Sequence, residues 1–438
     1  MTKNGFQIEA LWEKQPEASA VDLAKITIIV GARSVTRLVD SSTNETRDYV
    51  RASAVSLAIW FADNWWRLRW EPIETKSNVS WRLRHEITSA SGGVTWPPLM
   101  IYGVGERVVV APISTALEIG SGPVEFRAIP VSILPAKAYE AGVNNFFDNV
   151  LKSCEGARDW EPLNNLVQQL TSEWSDPDVS SWRRLEAKLG YDPDEAPEGL
   201  IEKFVDLEKA LGSASIEEAA LSSQGARSAA VLEKALDASR VSKVAVNLAA
   251  ARSVADPKND RDSTKPIWQV AENAAVRLRL ASTGRLDGPF LNPDLSDVIH
   301  QKWSKIKNAL ATARHLPYAT RMNDGAGAEK LAMQAISPEG RRFEIARIIG
   351  DAVWTNDDRF GVVSRAKTDR QKFQRAFAQS LLCPFEDLVQ HIDLTNPTKD
   401  QIDAAARRYQ VHPEVVRTVL VNKRLLPRET LDQELEAA

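Results

Sequence analysis

An α+β fold is what this sequence predicts, and three observations predict it. β-Branched runs crowd the first 135 residues, the longest being ITIIVGARSVTRLV at 26–39. From about residue 140 apolar residues at three- and four-residue steps take over, the signature of helices. A chain of 438 residues exceeds one ordinary core, so several domains are expected. The expected division is an α+β, tryptophan-rich domain over 1–135, a helical region over 136–265, a mainly helical domain over 266–397 and a helix-turn-helix-like tail over 398–438.

In the first region, the strand at 26–39 ends at the polar turn SSTNET, and RVVVAP and VEFRAIPVSIL supply further strands. Val50, Ala54, Leu57, Ala58, Phe61, Trp65 and Leu68 form one apolar helical stripe. The glycines of YGVGER read as a hairpin turn, because no helix follows to receive a phosphate. Seven of the 13 tryptophans (Trp12, Trp60, Trp65, Trp66, Trp70, Trp81, Trp96) fall here. Trp65, Trp66 and Trp70 interleave with Arg67 and Arg69, a pattern shared by nucleic-acid platforms, by protein interfaces and by well-packed cores; the latter two are preferred, and these five residues are the interface candidates.

Polar breaks at 175–181, 190–199 and 255–266 punctuate the helical middle, and the alanine-rich 216–251 predicts two helices. Past Pro266, KPIWQVAENAAVRLRL is a helix and NDGAGAEK at 323–330 is turn-rich. Residues 338–354 and 367–384 are helical, and 398–424 reads as two short helices around a tight turn.

Two segments carry a resemblance. RRFEIARIIGD at 341–351, followed by RAFAQSLLCP at 375–384 and then a helix pair, resembles the ImmA/IrrE family of metallo-endopeptidases, in which an RRF…A-HELGH helix precedes a helix ending FA-x-x-LL-x-P. The resemblance covers roughly residues 266–430 and implies a zincin-like fold. In that family two histidines at i and i+4 hold zinc, the glutamate between them is the base on the metal-bound water, and a glutamate on the following helix is the third ligand. Aligned on RRF and Gly350, those positions hold Arg347, Ile348 and Asp351, and the third ligand falls at Phe373, with Gln371 and Gln374 beside it. Arginine has no lone pair for a metal and isoleucine cannot move a proton. The resemblance therefore implies a pseudo-metallopeptidase with no catalytic residue, no metal and no cofactor. Asp351, Asp357, Asp358 and Asp369 make an alternative set for a hard cation, against the plainer reading of an acidic loop with an Arg347–Asp351 ion pair at i,i+4.

In the tail, Thr398 and Gln401 form a capping box and His412-Pro413 restarts a helix. Arg407, Arg408, Arg417, Lys423, Arg424 and Arg428 outnumber the local acids, which offers phosphate contacts; a helical hairpin with solvated charges is the competing reading.

Composition narrows the rest. Forty-three per cent hydrophobic and 26% charged residues, with no apolar run near eighteen and no signal-peptide pattern, predict a cytoplasmic protein without membrane partners. Cys154 and Cys383 sit in no CxxC or His cluster, and a net charge of −4 gives no global case for nucleic acid. Walker A, GxGxxG, GxSxG and HExxH motifs are all missing. The expectation is a non-catalytic, ImmA/IrrE-like regulatory or accessory protein in a prokaryotic phage-defence, mobile-element or stress-response system, binding a protein partner or nucleic acid. A metallopeptidase with rearranged ligands and a DNA-binding transcription regulator are the alternatives.

Overall fold

The structure is a computed structural model that describes residues 5–12, 23–73, 79–90, 94–113, 124–127, 130–223, 225, 227–257, 265–323, 325, 327–355, 358–427 and 430–431. The fold is mixed α and β, with several small antiparallel sheets. Among the described residues no helix is long and apolar enough to cross a membrane. Two compact units emerge: Met1–Ile201 with Gln224–Ala226, and Glu202–Ser223 with Arg227–Ala438.

The first unit is built on strands β1 (Phe6–Trp12) and β2 (Leu23–Val30), paired antiparallel with Phe6 opposite Val30. Their period-2 alternation turns Phe6, Ile8, Ile26 and Ile28 into the core. The single strand expected over 26–39 is three, because Gly31 adopts φ 65° and turns the chain. After it come β3 (Arg33–Ser34), β4 (Leu38–Asp40), β5 (Glu45–Arg47) and β6 (Val50–Ser53).

The expected single helix through Val50–Leu68 is also divided. Val50 belongs to β6, and α1 (Ala54–Asp63) and α2 (Trp65–Trp70) are separated at Asn64, which sits at φ −102°, ψ 5°. The Asn64 side-chain amide donates to Trp60 O at 2.7 Å, competing for a helix carbonyl as short polar side chains do. α3 (Val79–His85) and the hairpin of β7 (Leu99–Val104) and β8 (Arg107–Pro112) follow, turning at Gly105 as expected, whereas Gly103 lies within β7 opposite Val108. β9 (Val124–Phe126) pairs with β4, and β10 (Ser132–Pro135) with β8.

Helices α4 (Ala136–Ser153), α5 (Trp160–Ser175) and α6 (Pro177–Lys188) belong to this same unit. Tyr139, Val143, Phe146, Phe147 and Val150 of α4 join one core with Phe6, Ile26 and Phe61. A Cβ on Gly142 would lie 2.1 Å from Phe6 O, so only glycine lets α4 approach β1 this closely. The helical region expected at 136–265 is thus shared between the two units, since its first helices complete the core that the N-terminal strands begin.

The boundary runs through α7 (Leu200–Leu211). The second unit continues with α8 (Ser213–Ser222), α9 (Ser228–Val241), β11 (Ala245–Val246), α10 (Ala249–Ala255), α11 (Ile267–Thr283), α12 (Asn292–Val298) and α13 (Trp303–Lys307). Then come β12 (Ala319–Asn323), β13 (Glu329–Ala332), α14 (Pro338–Trp354), β14 (Phe360–Val363), α15 (Asp369–Leu382), α16 (Phe385–Leu388), α17 (Lys399–Tyr409) and α18 (Pro413–Asn422). The strands form an antiparallel sheet in the order β11-β13-β12-β14. The mainly helical expectation missed this sheet, because strands of two to five residues carry too few alternations to show a period.

One apolar core runs through α10, α11, α14, α15, α17 and α18. Tyr409 Oη donates to Asp387 Oδ2 at 2.6 Å, and Arg342 donates to Gln410 O at 2.9 Å, which ties the final helix pair into that core.

Candidate functional site

Helices α14 and α15 bring the positions of interest together. Ser337 caps α14 through the Gly340 amide at 3.1 Å with Pro338 at the first position, and Thr368 caps α15 through the Gln371 amide at 3.2 Å. The helices cross closely at Gly350, where a Cβ would lie 3.1 Å from the Phe377 ring. Arg347 and Asp351, one turn apart on α14, meet Arg370, Gln371 and Gln374 of α15.

Asp351 is fully buried and the hub of an ionic network. Its Oδ2 accepts from Arg321 Nε at 2.8 Å, and its Oδ1 from Arg370 Nε at 2.7 Å and Gln374 Nε2 at 2.6 Å. Arg321, on β12, also donates to Glu329 Oε2 at 3.0 Å and Thr355 Oγ1 at 2.7 Å, and Arg252 of α10 pairs with Glu329. Burial alone would push the Asp351 carboxyl up; Arg370 and Arg321 overcome that and hold it below the usual carboxylate range. Gly361 on β14 makes room, since a Cβ there would stand 2.0 Å from Asp351 Oδ2.

The expected i,i+4 ion pair between Arg347 and Asp351 does not form. Two other guanidiniums claim the carboxylate, and Arg347 donates instead to Ser364 O at 2.6 Å, Gln371 Oε1 at 2.9 Å and Gln374 Oε1 at 3.3 Å. Phe373 packs on Trp354 and Phe377, and the residue of α15 that meets both Arg347 and Asp351 is Gln374, one residue or about 100° further round the helix. Ile348 is buried in the apolar core.

Comparison with known proteins finds no matching family model, no similar curated protein and no similar solved structure. The donor set therefore has to be judged on its own chemistry. Asp351 alone could ligate zinc, and its lone pairs are already shared among two arginines and an amide. The alternative hard-cation set fares no better. Asp358 Oδ2 lies 3.4 Å from Arg370 and accepts from Ser215, Asp369 lies 3.4 Å from Lys372, and Asp357 falls outside the described residues. Among the described residues no group of three or more His, Cys, Asp or Glu is placed to hold a metal ion.

The outward edge of β14 is closed by side chains. Val362 O accepts from Gln371 and Gln374 Nε2, both at 2.9 Å; Ser364 N donates to Gln371 Oε1 at 2.9 Å; Phe360 O accepts from Ser215 of α8. An extended peptide adding to this strand would find those groups already bonded.

The other candidates are placed as follows. Trp65, Trp66, Arg67 and Arg69 are 2–4% exposed, and Trp70 is half-buried under Arg69, so the expected aromatic interface is an interior cluster. Arg67 chelates Glu71, Arg69 pairs with Glu140 at 2.5 Å, and Trp66 Nε1 donates to Glu173 at 2.8 Å. The physical reason is charge matching: Glu71, at the end of α2, neutralises Arg67, and Glu140 of α4 neutralises Arg69, so both arginines can lie in the interior. In the tail Arg417 is buried 3.5 Å from Glu414, Lys423 donates to Glu272 at 3.2 Å, and Arg408 lies 3.7 Å from Asp387. Arg407 and Arg424 remain exposed, and Arg428 lies outside the described residues. Sequence reading missed Arg321, Glu329, Arg370 and Arg252, for which no local motif signals a shared site.

Proposed function

We propose that this chain is a non-catalytic, ImmA/IrrE-like regulatory or accessory protein that binds a protein partner or nucleic acid, in a prokaryotic phage-defence, mobile-element or stress-response setting. The observation that supports it is the Asp351 network, in which two guanidiniums hold the carboxylate and a third, Arg347, stands where the resemblance would put the first metal ligand. A lone carboxylate already chelated by arginines cannot compete with buffer for zinc, and fixed positive charge beside it repels a dication. The system and partner come from family association, not from geometry.

Metal analysis of the purified chain tests this reading. The expected result is no stoichiometric zinc and no peptidase activity that changes with substitution at 347, 348 or 351. About one zinc per chain, lost in Asp351→Ala, overturns it.

A further inference from the structure

We propose that Arg347 and Arg375, together with Arg365 and Lys367 on the loop they grip, form a binding site for phosphate groups. Arg347 donates to Ser364 O at 2.6 Å and Arg375 donates to Ala366 O at 3.0 Å, so two guanidiniums from neighbouring helices hold alternate carbonyls of the β14–α15 loop. Arg365 and Lys367 project from that same loop and are exposed. None of the four makes an ion pair among the described residues, and Arg347 Nε is a buried donor with no partner there.

The nearby acids are committed elsewhere. Glu344 accepts the Gln334 amide at 3.0 Å and the Ala335 amide at 3.1 Å, Asp351 is held by Arg321 and Arg370, and Glu218 accepts from Gln371 at 3.1 Å. Burial first, then the charge of Arg375, bring Arg347 down to about 9 against the opposite pull of Glu344, Asp351 and Glu218, still protonated at neutral pH. A bound oxyanion would relieve that repulsion, taking its hydrogen bonds from Arg375, Arg365 and Lys367 while the buried Arg347 contributes its charge from behind the loop. The closed edge of β14 decides between ligand classes. An extended acidic peptide gains no main-chain ladder here, whereas phosphate needs only donors and charge. The inference rests on these four cations and not on the family resemblance, so either can fail alone.

The experiment uses the full chain with a labelled oligonucleotide, pyrophosphate and an oligoglutamate peptide, titrated from low to moderate salt. The pair R365Q/K367Q changes only exposed side chains and keeps the fold, which thermal melting checks; R375Q probes the half-buried member. Phosphate-bearing probes should bind, R365Q/K367Q should weaken them at least about fivefold, and for the oligonucleotide the slope of log K against log salt should flatten by about 2. Binding of pyrophosphate that competes with the oligonucleotide assigns the site to free phosphates; oligonucleotide binding that pyrophosphate cannot displace assigns it to a nucleic-acid backbone. No binding of either probe at low salt, binding unchanged by R365Q/K367Q, or equal binding of oligoglutamate through the same residues overturns the proposal.

Discussion

Asp351 accepts four hydrogen bonds from Arg321, Arg370 and Gln374 while excluded from water, so its replacement should expose how such a hub is balanced. In Asp351→Asn, Arg321 and Arg370 lose the carboxylate between them and become buried cations without their principal counter-charge. Breaking one partner of a buried ion pair costs about 3–5 kcal/mol, and urea unfolding should show a loss of that size in the second unit. The same hub sets an acid response. The Asp351 carboxyl titrates below its unfolded value, so the unfolded chain binds the extra proton first. Its stabilisation is complete above the unfolded value of about 4 and disappears as pH falls through the lower folded one. Stability measured from pH 6 downwards should therefore fall more steeply below pH 4 in the wild type than in Asp351→Asn. Equal slopes would remove Asp351 from the acid response.

Helix phase decides which residues of α15 face α14, and one residue separates the sequence alignment from the structure. The motif spacing selects Phe373, yet Gln374 meets Asp351 and Phe373 stacks at 5.0 Å on Trp354. A ligand graft tests the difference. R347H/I348E/D351H/Q374E, with R321M and R370M to remove the stranded cations, should gain zinc affinity measurable by competition with a chelator. The matching graft with F373E should gain none, because its carboxylate would be driven into the aromatic cluster. A second element shows the same limit of reading. The apolar stripe through Val50–Leu68 is continuous in sequence, but Asn64 ends α1 by binding the Trp60 carbonyl, which a hydrophobic pattern does not register. The tail was more legible: Thr398 and Gln401 cap α17 reciprocally at 3.3 and 3.1 Å, and His412-Pro413 opens α18, because capping chemistry is local.

For the whole molecule, unit boundaries follow core membership rather than composition. Residues 1–135 hold strands and tryptophans, but Tyr139, Val143, Phe146, Phe147 and Val150 of α4 and Leu163 of α5 fill the same core. Removing six such side chains at about 1.5–3 kcal/mol each is comparable to the whole stability of an ordinary domain. A 1–135 fragment should therefore be molten by near-ultraviolet dichroism, and a 1–199 fragment should unfold cooperatively. Cooperative folding of the shorter piece would show that the N-terminal strands carry a core of their own.

Local chemistry in this sequence determined the helix caps, the hairpin turn at Gly105, the extents of α14 and α18 to within a residue or two, and the lack of an HExxH motif. These are properties of neighbours along the chain, so spacing and residue type suffice. Tertiary structure alone decided that Asp351 would be shared by Arg321 and Arg370 rather than by Arg347, and that the Trp65–Trp70 segment would be interior. Each of those outcomes depends on which charges from distant elements arrive in the same water-free space. A buried charge takes the partner that geometry brings to it, and sequence order does not encode that distance.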